Sequence, residues 1–410
     1  MRISVIGLGY IGLPTAAMFA NRGYRVIGTD VDGEKVENIN RGIFTIEEPG
    51  LLAFLRDAFN TGNLRATLDV QPSDVFIICV PTPVKDDNKP DISFVESAGE
   101  RIANVLRAGN MVILESTVPP GTTMNVLKPI LESSDLKAGD DFELCHCPER
   151  VMPGKILKEL TENHRIIGGI TEKSCTRAKE LYSSFVEAKI YTTDPTTAEF
   201  TKLAENTFRD VNIALANELA LLCEKHHTDI WKVRQMANNH PRVDIHKPGP
   251  GVGGHCLPVD PWFLVNGDSG LITKCRDIND GMVSHVKGII DANTEQNGVV
   301  AILGTAYKAN TEDMRNSPSM DLVRFLDEYR VKLHDPYVDI HKKNLEETVR
   351  DAHTVVLMVD HSDYADIDPS EVLKLMEGDV VIDTRNYFDG TAWRKAGAKY
   401  ILLGSREPQV

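Results

Sequence analysis

The 410-residue chain lacks a basic surplus, a regular cysteine pattern and a long apolar run. Its formal net charge of -15 argues against a non-specific nucleic-acid binder, which needs a basic face. No apolar run approaches the roughly 20 residues that cross a bilayer, so we expect no membrane span. Seven cysteines without framework spacing indicate reduced thiols and a cytoplasmic protein.

The start of the chain and its composition predict an ordinary globular protein without a leader. Met1-Arg2 runs straight into the strand-like segment Ile3–Ile6, which leaves no room for a signal peptide. Hydrophobic residues make up 42% of the chain and charged residues 26%, as in typical globular domains. A chain of this length predicts two or three domains, and we find no short repeat or low-complexity tract.

Alternating apolar strands and helical stretches predict an α/β fold with two Rossmann-like, doubly wound domains joined by a long central helix. We place the boundaries at 1–194 for a nucleotide-binding domain, 195–297 for a helical domain and 298–410 for a second Rossmann-like domain. Helices are predicted at Thr197–Lys225 and Thr228–Asn238. The predicted strands are Ile3–Ile6, Arg25–Gly28, Val75–Val80, Met111–Glu115, Phe142–Cys147, Arg165–Gly168, Val299–Gly304, Val331–His334, Thr354–Val359, Val380–Asp383 and Tyr400–Leu403.

The turn Gly7-Leu-Gly-Tyr-Ile-Gly12 follows the first predicted strand and opens a helix. Three glycines at this spacing suit a tight turn, close approach of a pyrophosphate, and helix–strand packing. Asp30 ends the second predicted strand, where a carboxylate accepts hydrogen bonds from ribose hydroxyls and repels a 2′-phosphate. The pattern therefore predicts NAD rather than NADP; the alternative is a glycine-rich turn without a ligand.

Two further turns end predicted strands at the same edge. Thr82 lies in Cys79-Val-Pro-Thr-Pro83 and Thr117 in Glu115-Ser-Thr-Val-Pro-Pro-Gly121. Both hydroxyls could bond a cofactor or substrate there, although plain turn chemistry with proline explains them as well.

The segment Gly251-Val-Gly-Gly-His-Cys-Leu-Pro-Val-Asp-Pro261 places Cys256 in a glycine-rich turn, with Asp260 four residues later. A cysteine is a good nucleophile when its thiolate is approachable, and small neighbours give access. The alternative is a small buried hydrophobic residue, as most free cysteines are.

Polar residues on the long helix and at strand ends are further candidates. Lys202, Asn206 and Arg209 stand at i, i+4 and i+7, which places them on one helical face, either solvated or lining a phosphate and sugar site. Glu149 and Arg150 follow the strand that contains Cys145, His146 and Cys147. Alternation along that strand turns His146 away from the two cysteines, so we expect no metal site.

Three more cationic side chains could neutralise a diphosphate in this acidic chain. They are Arg242, in His240-Pro-Arg242 ahead of the glycine-rich turn, and Lys308 and Arg315 after the first strand of the C-terminal domain.

Together these motifs resemble the UDP-glucose/GDP-mannose dehydrogenase family over essentially the whole chain. The matching segments are Gly7–Gly12, Pro81–Pro83, Glu115–Thr117, Pro148-Glu149, Lys202 with Asn206, Gly253–Cys256 through Asp260, and Tyr307-Lys308 with Arg315. The segments Cys147–Gly154, Glu205–Asn212, His240–Val243 and Gly249–Cys256 are most similar to members that oxidise UDP-N-acetyl-D-mannosamine.

The resemblance implies a four-electron oxidation of a sugar C6 alcohol to a carboxylate with NAD, through a thiohemiacetal and a thioester on Cys256. It implies that Lys202 is the general acid/base, directly or through a water, that Asn206 and Asp260 orient neighbouring groups, and that Glu149 assists hydrolysis. The implied cofactor-binding residues are Gly7, Gly9, Tyr10, Ile11, Gly12, Asp30, Lys35, Thr82, Thr117 and Arg315. The implied substrate-binding residues are Arg150, Val151, Lys202, Asn206, Arg209, His240, Arg242, Gly253 and Lys308.

The resemblance leaves the sugar and one step of the mechanism open. UDP-N-acetylglucosamine and UDP-glucose are alternative substrates, and a polysaccharide precursor route would use the product. The UDP-glucose enzymes carry a second acid four residues after the position of Glu149, where this chain has Pro153. The long helix matches the element through which family members dimerise, so a homodimer is expected.

Overall fold

A computed structural model describes residues 1–46, 48–85, 87–152, 154–265 and 270–406. The chain divides into two compact units. The first comprises Met1–Glu205 with Trp262–Leu264, and the second comprises Asn206–Pro261 with Val265–Val410. No helix in the described ranges is both long and apolar enough to cross a membrane.

The first unit is built on an eight-stranded sheet with the order β3-β2-β1-β4-β5-β6-β7-β8. Its strands are β1 (Arg2–Ile6), β2 (Arg25–Thr29), β3 (Leu64–Thr67), β4 (Val75–Ile78), β5 (Met111–Leu114), β6 (Glu143–His146), β7 (Arg165–Gly169) and β8 (Ile190–Thr193). Central strands such as β4 and β5 are buried along their whole length, as expected of a sheet covered on both faces.

Helices connect these strands. They are α1 (Gly12–Asn21), α2 (Gly33–Asn40), α3 (Leu51–Asn60), α4 (Ser93–Ala103), a π-helical turn (Thr123–Leu127), α5 (Lys128–Glu132), α6 (Ile156–Glu162) and α7 (Glu172–Tyr182). Two apolar clusters fill the unit; one includes Ile3 and Phe19, and the other includes Phe76 and Leu144.

One strand pair of the first sheet departs from the parallel arrangement that the sequence predicts. β7 runs antiparallel to β6, with Cys145 opposite Gly169 and His146 opposite Gly168. If the same antiparallel register is extended beyond His146, Glu149 lies opposite Arg165, the first residue of β7. The reversal therefore brings a cation to the edge where β6 ends.

The long helix α8 (Pro195–Lys225) contains the boundary between the two units. The second unit continues with α9 (Ile230–Ala237), a 3₁₀ turn (Asp260–Leu264), α10 (Leu271–Asp291), α11 (Pro318–Arg324), a 3₁₀ turn (Asp339–His341), α12 (Leu345–Val349), a 3₁₀ turn (Ser362–Tyr364), α13 (Pro369–Leu375) and α14 (Gly390–Ala396). The 3₁₀ turn at Asp260 itself spans both units.

A five-stranded parallel sheet with the order β10-β9-β11-β12-β13 is the core of the second unit. Its strands are β9 (Val299–Leu303), β10 (Arg330–His334), β11 (Thr354–Leu357), β12 (Val380–Asp383) and β13 (Lys399–Leu402). One apolar cluster on this sheet includes Ile302 and Met282 of α10, and another includes Leu357 and Trp393 of α14.

The predicted fold class is confirmed: two Rossmann-like sheets and a long central helix are present. The boundaries after residues 194 and 297 stay predictions. Two strands, β3 and β8, were not predicted. Both lie at edges of the first sheet and carry exposed side chains, Arg65 and Tyr191, so neither has a continuous apolar run.

Candidate active site

In the first unit, the glycine turn after β1 leaves room for a phosphate. Gly7 has φ +91°, and a Cβ on it would lie 2.6 Å from the carbonyl oxygen of Cys79. Gly9 is exposed, and a Cβ there would meet no atom within 4 Å. Gly12 begins α1, and a Cβ on it would collide with the Gly7 carbonyl. The N-cap Ile11 provides no side-chain acceptor, so the turn and the helix start suit an anion.

Asp30, just after β2, is hydrogen-bonded to this turn. Its Oδ2 accepts hydrogen bonds from the Leu8 amide at 2.9 Å and from Lys35 Nζ at 3.0 Å. Burial alone would raise the pKa of Asp30, but the amides of Asp32 and Leu8 and the Lys35 ammonium bring it below its usual value. The carboxylate is therefore ionised at neutral pH and placed where the sequence predicts a ribose acceptor. Tyr10 lies in the same turn and donates its hydroxyl hydrogen bond to Glu48.

The two threonine turns are joined to each other. Thr82 Oγ1 donates to the carbonyl of Thr117 at 2.6 Å, and Ser116 Oγ donates to the carbonyl of Val80 at 2.7 Å. The turn chemistry recognised in the sequence is thus present. A ligand role for these two threonines stays a prediction.

Glu149 is half-buried and joins a charge cluster at the carboxyl edge of the first sheet, whose other members are buried. Arg165 Nη2 lies 3.5 Å from Glu149 Oε2, and Arg165 Nη1 lies 3.1 Å from Glu115 Oε1. The hydroxyl of Tyr182 donates to the same Glu115 oxygen at 2.5 Å. Burial raises the pKa of Glu149, Glu115 adds to the effect, and Arg165 and Lys202 oppose it.

The sequence did not single out Arg165 or a charge role for Glu115. Arg165 looked like the first residue of an apolar strand, and only its antiparallel register sets it level with Glu149. Pro153, which replaces the second acid of the UDP-glucose enzymes, lies outside the described residues.

Arg150 is already engaged within the first unit. Its Nε donates to Glu205 Oε2 at 3.0 Å, its Nη2 pairs with the other oxygen of Glu205, and its Nη1 donates to the carbonyl of His164 at 2.6 Å. Val151 is half-buried and packs against the apolar cluster. Such a fixed guanidinium can shape a binding wall.

The predicted polar face of α8 differs in exposure along its length. Lys202 is half-buried, Asn206 is buried and Arg209 is exposed. In the second unit, Asn206 Nδ2 donates to the buried carboxylate of Asp260 at 2.6 Å. The structure thus joins two of the predicted catalytic side chains directly.

The glycine-rich turn of the second unit, residues 249–256 and hereafter the Cys loop, lies against residues 307–318. A Cβ on Gly253 would lie 2.5 Å from the carbonyl oxygen of Asn316, and one on Gly254 would lie 2.8 Å from the ring of Tyr307. The Gly249 amide donates to Asn217 Oδ1 at 2.9 Å. Cys256 at the end of this loop is exposed, whereas the other six cysteines are buried or half-buried.

The predicted cationic residues Arg242, Lys308 and Arg315 of the second unit are all exposed, and so is the predicted substrate-binding residue His240. A further cation, Arg385, was not predicted. It follows β12 and bonds Asp360 through Nε at 3.2 Å, and a Cβ on Gly249 would lie 2.7 Å from its Nη1. Its place just after the predicted strand Val380–Asp383 is the signal that could have found it.

Within the described ranges, no three His, Cys, Asp or Glu side chains are arranged to hold a metal ion. His146 is buried, and desolvation lowers its pKa to about 3. The thiol of Cys145 donates to the Ser174 carbonyl at 3.3 Å, and Arg165 contacts Cys147 Sγ.

A nucleotide turn with an ionised acid after the second strand, in a chain with a second, parallel sheet, is typical of dinucleotide-binding proteins of the Rossmann class. Family models give the same answer in finer detail. The NAD-binding domain of the UDP-glucose/GDP-mannose dehydrogenase family matches residues 1–186, its central domain matches 196–280 and its UDP-binding domain matches 301–390. The chain belongs to this family. It is an NAD-dependent UDP-sugar dehydrogenase.

Individual relatives resemble the chain over nearly its full length. It is 44% identical to the UDP-N-acetyl-D-mannosamine dehydrogenase of Methanococcus maripaludis, with 98% of this chain and 97% of the relative aligned. The solved structure of the Pyrococcus horikoshii UDP-D-ManNAc dehydrogenase superposes with a TM-score of 0.94 at 43% identity, covering 100% of both chains. An NDP-N-acetyl-D-galactosaminuronic acid dehydrogenase of Ralstonia nicotianae is 42% identical, with 93% and 95% covered.

Replacing Asp30 with alanine tests the ribose role. Loss of a charged acceptor weakens binding by about 1.5–3 kcal/mol, so we expect the NAD+ dissociation constant to rise about tenfold or more. Isothermal titration measures it directly. Asp57→Ala, which removes an exposed carboxylate of α3, is the matched control. An unchanged affinity in Asp30→Ala would remove that residue from the cofactor site.

Proposed function

We propose that this chain oxidises UDP-N-acetyl-D-mannosamine at C6 to UDP-N-acetyl-D-mannosaminuronate, through a thioester on Cys256. The observation that carries the proposal is the state of Cys256. It is the exposed cysteine among seven, and it ends a glycine loop held at both ends by hydrogen bonds. The similarity to two named mannosamine enzymes, at 43% and 44% identity, supports the choice of sugar.

The thiol is needed because an aldehyde cannot lose a hydride until its carbon becomes tetrahedral. NAD+ supplies the hydride acceptor in both oxidations. The Cys256 thiolate adds to the aldehyde carbon, and the new C–S bond converts it into a thiohemiacetal. Hydride loss then leaves a thioester, and water breaks the C–S bond to release the carboxylate and the thiol. One alcohol, one water and two NAD+ give one carboxylate, two NADH and three protons.

Two groups of residues manage the protons in this proposal. Lys202 takes the alcohol proton, directly or through water, and its charge stabilises the oxyanion of the thiohemiacetal. Asn206 and Asp260 act as a hydrogen-bonded pair that orients neighbouring groups. Glu149 assists hydrolysis, since burial raises the pKa of its carboxyl above the usual value and so makes it a stronger proton acceptor.

The nucleotide sugar requires positive charge in a chain with a net charge of -15. We assign this role to Arg209, Arg242 and Lys308, with Arg385 as an addition from the fold, and we place His240 in the same substrate site. Gly253 and Val151 provide close backbone and apolar contact. Arg150 shapes the site through its bonds to Glu205 and to the His164 carbonyl.

A panel of sugar nucleotides tests the substrate. We expect turnover with UDP-N-acetyl-D-mannosamine and formation of two NADH per sugar, measured by absorbance and by product mass. UDP-N-acetylglucosamine, UDP-N-acetylgalactosamine and UDP-glucose complete the panel, and the galacto compound represents the Ralstonia relative. Exclusive use of any of these three would overturn the assigned sugar. One NADH per sugar would overturn the four-electron oxidation.

We also propose that the chain forms a homodimer through α8. Phe208, Leu215 and Leu222 recur at intervals of seven residues, which places them on one helical face, and they are 66%, 47% and 43% exposed. A row of large apolar side chains in contact with water is typical of an interface.

Replacing Phe208 with aspartate puts a charge into this face, so we expect a shift from dimer to monomer in light scattering. Phe325→Asp, at a large apolar residue that is 49% exposed elsewhere, is the control and should leave the mass unchanged. A wild-type protein that is monomeric at micromolar concentration would refute the dimer.

A further inference from the structure

Asp313 holds two side chains that belong to the surroundings of Cys256. Its Oδ1 accepts a hydrogen bond from Arg315 Nε at 3.0 Å, and its Oδ2 accepts one from Arg315 Nη2 at 2.7 Å. The same Oδ2 lies 3.0 Å from Nε2 of His255, the residue that immediately precedes Cys256. All of these residues lie in the second unit.

The backbone fixes Arg315 to the Cys loop independently of this carboxylate. The Gly254 amide donates to the carbonyl of Arg315 at 3.3 Å, and Asn316 Nδ2 donates to the carbonyl of Gly254 at 3.0 Å. The amide of Tyr307 donates to the carbonyl of Asp313 at 2.9 Å, so residues 307–313 form a hydrogen-bonded turn. The main chain of Arg315 is therefore bonded to Gly254, which precedes Cys256 by two residues in the sequence.

The neighbouring charges in this segment shift the pKa values of Arg315 and His255. The carboxylate of Asp313, with smaller contributions from Tyr307 and Cys256, raises the pKa of Arg315. Burial and the Arg315 cation lower the pKa of His255, against the pull of Asp313. This lowering favours the neutral imidazole, whose Nε2–H can donate to the carboxylate of Asp313.

The charged or titratable groups that interact with one another at this end of the Cys loop include Asp313, Arg315, His255 and Tyr307. Asp260 follows on the other side, and its amide donates to the carbonyl of Cys256 at 2.8 Å.

We propose that Asp313 is a positioning residue that holds the Arg315 guanidinium and the His255 ring beside Cys256, so that the cation favours the thiolate. This deepens the function proposed above, because a nucleophilic Cys256 needs its thiolate at neutral pH. It gives Arg315 a role beyond the cofactor contact expected from the sequence. It also explains why an anionic side chain, which by itself disfavours a thiolate, lies so close to the loop.

The thiol can be tested without cofactor, sugar or turnover. Iodoacetamide alkylates thiolates, forming a C–S bond and releasing iodide, so the rate below the thiol pKa follows the thiolate fraction. In the native protein Cys256 is the exposed cysteine, and peptide mass mapping reads its modification alone. We expect Arg315→Met to slow alkylation at pH 7 by about three- to tenfold, Arg315→Lys to recover part of the rate, and the rate–pH profile of Arg315→Met to shift to higher pH.

Asp313→Ala gives the sharper test because the two explanations predict opposite signs. If Asp313 acted through its charge alone, removing it would speed alkylation. If it positions Arg315, its removal slows alkylation, and the slowing disappears in an Arg315→Met background. Arg324→Met removes a comparably exposed arginine that pairs with Asp321 on α11, and it should leave the rate unchanged.

Circular dichroism checks that each variant folds. If Asp313→Ala does not fold, the alkylation rate of Arg315→Met is the deciding measurement. An unchanged rate in Arg315→Met, or a faster rate in Asp313→Ala, overturns the proposal. Neither result depends on whether Cys256 takes part in turnover, so the proposed function can fail separately through the sugar and NADH measurements.

Discussion

The close approach of the Cys loop to residues 307–318 is the constraint on which the proposed chemistry depends. Gly253 and Gly254 lie where a side chain would collide with the Asn316 carbonyl or the Tyr307 ring. The absence of side chains lets the Gly254 amide donate to the Arg315 carbonyl, and Cys256 follows at the end of this fixed segment while staying exposed. Rigidity and access are both required of a nucleophile that must wait for an aldehyde.

At the carboxyl edge of the first sheet, the arrangement of charges rather than close packing determines the pKa of Glu149. Arg165 lies between the buried carboxylate of Glu115 and the half-buried one of Glu149, and it stacks on Tyr182 with its guanidinium carbon 4.6 Å from the ring centre. One cation shared by two acids leaves Glu149 only partly compensated, so its pKa stays raised. The reversed strand β7 is what brings that cation to this edge.

The sequence predicted the features that depend on local pattern. The strands of both sheets, the long helix and the nucleotide turn appear within a few residues of their expected positions, because apolar runs and glycine spacing act over short distances. The edge strands β3 and β8 were missed, since neither needs an apolar run. The Arg165 contacts depend on the direction of β7, which no local pattern encodes. Arg385 follows a predicted strand and could have been found, but its approach to Gly249 joins loops far apart in sequence.

The central claim is that Cys256 carries the sugar as a thioester. Rapid acid quench of the enzyme during turnover, followed by mass analysis of the peptide that contains Cys256, tests it most directly. We expect the wild-type peptide to gain the mass of the uronyl group, and Cys256→Ser to lack both this adduct and normal turnover, while Cys223→Ser at a buried cysteine behaves as wild type. Unchanged steady-state turnover in Cys256→Ser would contradict the mechanism.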